Sequence, residues 1–351
     1  MAVSLKSLMS SVLGGGKTPT PAYNQLFEKT DPDKDGEECL HDCDSCTIRY
    51  PRGFKVDEED VLYGQVKGWS THVLVGTGKT DWVRDVGDEK GSVMEAISKA
   101  EGPSNGRLML SASNMPTPDD TSDYSQPTTV LLLPAFTLVE NVHPTNVTTL
   151  ITEVINKAPT TVSPLTPPFF PRSLPSLDTH VPVLGTRACP HSAVILMCSH
   201  KTRDARCGQS APLLRKEFER HLRPLGLYRD LHDERPGGVG IYFINHVGGH
   251  KYSANVMIYR RPNAFGQDDV GETRAHSHPS GVNGSSNGTN GLSNGDDGRP
   301  DVGAAQGIWL ARVKPEDCEN LIRYTVLKGK LVKPESQLRG GFDRVKGLTS
   351  W

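Results

Sequence analysis

The chain has 351 residues, a formal net charge of −2 and seven cysteines. Its length exceeds what one core usually organises, so two domains are expected, and its near-neutral charge leaves no electrostatic footprint for nucleic acid or an anionic membrane surface. The longest apolar stretch, Thr129 to Val139, is short and broken by Pro134, which excludes a membrane span, and an odd, sparse set of cysteines argues against a disulfide framework.

Residues 1–22, small and Pro-containing, read as a disordered tail without the apolar run of a secretory signal. The absence of acids before Glu28, with Lys6 and Lys17, is the sole mitochondrial feature, and it lacks arginine. A reducing compartment is therefore expected, the cytoplasm first and the mitochondrion as the alternative. Residues 23–157 read as an N-terminal α/β domain, with strands at His72 to Val75 and Thr129 to Leu133. A helix follows Pro144, with Val147, Leu150, Ile151, Val154 and Ile155 on one face. Seven prolines between Pro159 and Pro182 make 158–187 a semi-rigid linker.

The second domain, 188–345, opens with the continuous apolar strand Ala193 to Met197. A loop and a helix from about Ala211 to Arg223 follow, then strands Gly240 to Ile244 and Ala254 to Tyr259 around the loop Asn245 to Ser253. Residues 262–306, rich in Gly, Asn, Ser and Asp, read as a disordered insertion. His276 and His278 fall within it and read as a solvated pair. A strand from Gly307 to Val313, a helix opened by Pro315 and a tail over 346–351 complete the chain. The order of elements predicts an α+β fold whose C-terminal domain is thioredoxin-like.

Two segments carry the chemistry: Cys198-Ser-His-Lys-Thr-Arg-Asp-Ala-Arg-Cys207-Gly and His246-Val-Gly-Gly-His250. The first leaves a buried strand, where side chains are presented at a sheet edge. The second spaces two imidazoles across a Gly-Gly turn, and glycine neither blocks an approaching cofactor nor resists positive φ. Two soft thiolates and two borderline imidazoles are the donor set of either a Cys2His2 zinc site or a Rieske-like 2Fe–2S cluster. Cys189 precedes Cys198 by the spacing that separates Cys198 from Cys207, so spacing alone leaves the thiolate pair open.

These segments, together with Gly78-Lys-Thr-Asp-Trp82, Gly307-Ile-Trp-Leu-Ala-Arg-Val, Pro315-Glu-Asp and Leu338-Arg-Gly-Gly341, resemble the fungal and plant sucrase/ferredoxin-like family. The resemblance implies two thioredoxin-like domains, the N-terminal one degenerate and the C-terminal one a ferredoxin. It also implies a 2Fe–2S cofactor on Cys198, Cys207, His246 and His250, and hence an electron-transfer protein in redox homeostasis with an unidentified redox partner protein. The competing reading is a thioredoxin-fold interaction module stapled by zinc on the same ligands. With two thiolates and two neutral imidazoles the oxidised cluster has no net charge, so a high, pH-dependent potential is expected.

Other signals weigh less. Gly76-Thr-Gly-Lys-Thr80 fails as a phosphate loop because Val73 stands where a glycine is required. No carboxylate pair is marked for the sugar hydrolysis in the family's label, so no glycosidase activity is expected. Cys39, Cys43 and Cys46 sit among Glu37, Glu38, Asp42 and Asp44, whose charge suppresses thiolate chemistry; an unligated packing role is preferred over a second metal site. The ending Leu348-Thr-Ser-Trp351 is similar to a tripeptide read by the cytosolic iron–sulfur assembly machinery, with Leu348 one place too early. Fold-back of Trp351 onto its own domain is the alternative.

Overall fold

The computed structural model describes residues 20–168, 170–174, 182–268 and 301–351. The strands are β1 (Thr71–Gly76), β2 (Leu108–Ser113), β3 (Thr128–Leu133), β4 (Thr137–Val142), β5 (Gly185–Ala188), β6 (Ala193–Cys198), β7 (Tyr228–Arg229), β8 (Val239–Ile244), β9 (Val256–Arg260), β10 (Gln306–Leu310), β11 (Leu338–Asp343) and β12 (Leu348–Thr349). They form one mixed twelve-stranded sheet in the order β12-β11-β10-β9-β6-β8-β2-β1-β3-β4-β5, with β7 beside β8.

The two halves of the sheet share one order of elements. β1 and β2 are parallel and joined through the helix Val93–Lys99; β3 lies antiparallel on β1 and β4 on β3, followed by a helix over 147–157. β6 and β8 are parallel and joined through the helix Ala205–Leu222; β9 lies antiparallel on β6 and β10 on β9, followed by a helix over 318–326.

The central strands are apolar on both faces because both faces are covered. Val73 and Val75 pack into a core with Met94, Ile97, Leu150 and Val154, whereas Leu74 faces the opposite way. In β6, Ile195 and Met197 pack under Leu214, Phe218 and Ile322, while Val194 and Leu196 meet Leu74 in a third core. His72 of β1 hydrogen-bonds Tyr259 of β9 at 2.9 Å, although these strands are far apart in the sheet order. The sheet therefore folds over on itself, and the halves face each other between two outer helical layers.

The hinge between them is one register pair, Ser113 with Ile244. Two buried asparagines continue the ladder there: Asn245 Oδ1 accepts from the Ala112 amide at 3.1 Å, and Asn114 Oδ1 from the Phe243 amide at 2.7 Å. The α+β class is as expected. Leu74, Val194 and Tyr259, drawn from both halves, share one core, which removes from water apolar surface that either half alone would expose.

Three further segments are tied to the fold through their described residues. The end of the 158–187 segment supplies the edge strand β5, paired with β4, and buries Leu174 and Leu184. The tail over 346–351 is docked: Leu348 and Thr349 pair with Asp343 and Phe342, Ser350 is buried, and the Trp351 ring lies 4.3 Å from that of Trp69. Within 262–306, residues 269–300, including His276 and His278, lie outside the described residues. The flanks, however, are tied down by ion pairs. Arg260, buried in β9, pairs with Asp268, and Arg261 pairs with Asp301.

Asp268→Ala should therefore cost about 2 kcal/mol, since it leaves a buried guanidinium with only the Val326 and Leu327 carbonyls and Gln306 to face. The midpoint of chemical denaturation measures it, and an unchanged midpoint would show that those acceptors suffice. Among the described residues no helix is long and apolar enough to cross a membrane.

Candidate metal centre

Strand register builds the site. β6 and β8 end side by side, Cys198 opposite Ile244, so the chain leaving β8 places His246 beside Cys198 within two residues. The helix expected from Ala211 begins earlier, at Ala205, because Asp204 caps it: Asp204 Oδ1 accepts from the Arg206 amide at 2.9 Å. Cys207 accordingly stands in the first turn of an 18-residue helix, where the N-terminal dipole favours a thiolate. Gly208 is required beside it, since a Cβ there would meet Lys201 Cβ at 2.6 Å.

The Cys198 and Cys207 sulfurs and a ring nitrogen of His246 lie within 4.8 Å of one another. His250 joins through His246, with its Nδ1 3.5 Å from His246 Nε2. Both thiols are buried, and both imidazoles are half-buried at the rim. A hydrogen bond from Cys198, with burial opposing it, lowers the Cys207 pKa; the same bond and burial raise that of Cys198. The two sulfurs are thus coupled, with Cys207 the readier of the pair to lose its proton. Burial and the neighbouring His246 ring push His250 below the ordinary histidine range, which keeps it neutral and able to ligate.

Surrounding groups fix this arrangement. Gly248 and Gly249 both adopt positive φ, +93° and +70°, and a Cβ on Gly249 would strike the Arg339 guanidinium at 2.7 Å. Arg339 donates to the Gly248 carbonyl at 2.9 Å and to Asn255 Oδ1 at 2.8 Å, while Asn255 Nδ2 donates to the Gly249 carbonyl at 3.0 Å. The His246–His250 turn is thereby clamped from β11 and β9. Backbone amides of His200 and Val247 point at the Cys198 sulfur, and Ser253 Oγ lies 3.4 Å from that of Cys207.

The other half of the molecule braces the site from behind. Fully buried His200 bonds the Trp82 carbonyl through Nε2 at 2.9 Å and accepts the His246 amide on Nδ1 at 3.2 Å. Ser199 donates to the Thr80 carbonyl at 2.7 Å, and Thr202 donates to Asp81 through its amide and hydroxyl. This is why Gly78 to Trp82 matters although it carries no ligand. His200, Asp81, Asn255 and Arg339 were not singled out from sequence as contributors to the site, although His200, Asp81 and Arg339 lie in the quoted motifs. His200→Ala should loosen the His246 backbone and cost about 1–3 kcal/mol. The midpoint of chemical denaturation checks it; an unchanged midpoint would remove His200 from the positioning set.

Cys189 lies elsewhere, in the central core, with its thiol pushed up by burial, and so does not belong to the donor group. Cys318 is likewise buried in the C-terminal core.

The sucrase/ferredoxin-like family model matches residues 62–340, from just before β1 into β11. This chain belongs to that family. The sucrase/ferredoxin-like assignment covers both halves and every residue of the site. Among curated relatives, actin patches distal protein 1 of Saccharomyces cerevisiae is 32% identical over 256 residues, 68% of this chain and 77% of the relative. Altered inheritance of mitochondria protein 32 of Clavispora lusitaniae is 27% identical over 143 residues, 41% of this chain and 33% of that protein, and its counterpart in Debaryomyces hansenii is 26% identical over 140 residues, 40% of this chain and 33% of that protein. This chain therefore spans about a third of the length of those two relatives. No solved structure matches.

Proposed function

We propose that the protein is a one-electron carrier that holds a 2Fe–2S cluster on Cys198, Cys207, His246 and His250. The observation that carries this reading is the convergence of two buried, coupled thiols with the His246 ring, and the His250 ring beside it. The residues fit such a group: the donors are of the right kinds, and His246 Nδ1 is buried without a hydrogen-bond partner among the described residues. Bound there, a cluster would accept and release one electron at a higher potential than a four-cysteine cluster, because two of its ligands bring no charge.

The chain's own part is to hold and orient the ligands. Cys198 and Cys207 anchor from the interior, and the amides of His200 and Val247 lower the charge on the Cys198 sulfur. His246 and His250 face the surface, so a partner docking on the rim reaches the imidazole side first. Lys251, Asp57, Asp60 and Tyr252 form a bonded network on that rim and give it mixed charge. The shared β–α–β, hairpin and helix order of each half supports describing them as thioredoxin-like units, the C-terminal one ferredoxin-like. A cytosolic location is part of the same reading. Recognition of Trp351 by the iron–sulfur assembly machinery would require its ring to leave Trp69, so fold-back is the role that the packing favours.

Anaerobic purification with iron, sulfide and zinc analysis tests the proposal. Red-brown protein with equal iron and acid-labile sulfide supports it. Colourless protein with zinc on two sulfurs would replace it with the stapled interaction module.

A further inference from the structure

A second group of metal-binding donors lies on the far end of the helix Ala205–Leu222. Cys43 Sγ, a ring nitrogen of His221 and a carboxylate oxygen of Glu319 fall within 4.8 Å of one another. They come from three separate elements: the segment after the turn Glu37–Leu40, the last turn of the helix, and the helix over 318–326. We infer that these three residues form a zinc site that staples the N-terminal segment to the C-terminal half.

Polar groups crowd the Cys43 sulfur. The buried sulfur has the Arg220 guanidinium at 3.4 Å, the Ser45 hydroxyl at 3.3 Å and His221 Nε2 at 3.8 Å. A neutral thiol is a weak acceptor and gains little from the Arg220 guanidinium. A metal-bound thiolate uses that donor, as an outer-shell partner that holds a ligand in place. Backbone contacts hold the segment independently. The Cys43 amide donates to the Glu316 carbonyl at 3.1 Å, and Asn320 Nδ2 donates to the carbonyls of His41 at 2.7 Å and Glu38 at 3.1 Å.

The donor set selects the ion. One thiolate, one imidazole and one carboxylate are the mixed ligands that zinc accepts, and the two anionic ligands neutralise its charge in a half-buried place. His221 and Glu319 are half-buried, which leaves the fourth position to solvent. A Cys43–Cys46 dithiol couple fits less well. Burial, then the nearby Glu217 carboxylate, raise the Cys46 thiol, and its sulfur already bonds the Ile48 carbonyl at 3.5 Å. This replaces the preference for an unligated role at these cysteines, because spacing along the chain could not bring in His221 and Glu319.

Zinc analysis and zinc-edge X-ray absorption on the iron-loaded, full-length chain test the site independently of the cluster. Expected is about one zinc per chain, with a single sulfur neighbour and otherwise nitrogen and oxygen. Cys43→Ala should lower zinc retention about tenfold or more with an unchanged visible spectrum, and Glu319→Gln should act in the same direction. If Cys43→Ala fails to fold, His221→Gln provides the same comparison. Three outcomes would overturn the inference: no zinc bound after incubation with Zn²⁺, a zinc shell with two sulfurs or none, or full zinc retention in the variants.

Discussion

Cys198→Ser should lower the iron content of the purified chain by about tenfold or more, since loss of a direct thiolate exceeds the 10–100-fold range already typical of outer-shell changes. Cys207→Ser should do the same, because the two sulfurs stand in one donor group. An alcohol at either position is a poor substitute for a thiolate. Cys189→Ser and Cys318→Ser serve as the comparison. Both thiols are buried in cores away from the donor group, so these changes should alter stability and leave iron in place. Iron per chain and the visible spectrum read the difference. Normal iron in Cys198→Ser, or its loss in Cys189→Ser, would assign the thiolate pair to different residues.

His246→Cys should keep a cluster and lower its potential by roughly 100 mV or more, given that Rieske centres lie from about −150 to +300 mV and plant-type ferredoxins near about −400 mV. The physical cause is charge: the swap adds a negative ligand where a neutral one stood, and reduction becomes harder. His250→Cys should shift the potential in the same direction. The half-buried rim leaves room for the shorter side chain, and the Arg339 and Asn255 clamp acts on the backbone of Gly248 and Gly249, which neither swap touches. Protein-film voltammetry measures the shift. An unchanged potential would show that these histidines do not ligate.

Much of the site was legible because its residues cluster in two short segments, and β6 and β8 announced themselves as apolar runs. The parallel register that sets Cys198 beside His246 follows from those runs only once they are paired. The brace was less legible. His200 lies in the first segment but points away from the donors, and its partner is a backbone carbonyl at Trp82, more than a hundred residues earlier. Backbone acceptors leave no compositional trace. The Cys207 helix was placed too late because its start depends on Asp204 as a cap, within a stretch whose charges and glycine read as a loop.

The union of the halves was hidden for a related reason. Leu74, Val194, Leu196 and Tyr259 look like the far faces of ordinary buried strands, and nothing local says that each sheet covers the other. The prolines of 158–187 suggested a spacer, yet β5 tolerates its Pro-rich approach as an edge strand, where a missing donor costs little. The Trp351 ring rests against Trp69.

The central claim is that two imidazoles and two thiolates hold one cluster. Electron–nuclear double resonance on the dithionite-reduced chain tests it most directly, since nitrogens bound to iron give strong couplings that distant ones do not. Two distinct nitrogen couplings are predicted, one of them lost in His246→Cys and the other in His250→Cys. A reduced signal with no strongly coupled nitrogen, or no paramagnetic signal at all from iron-replete protein, would contradict the account.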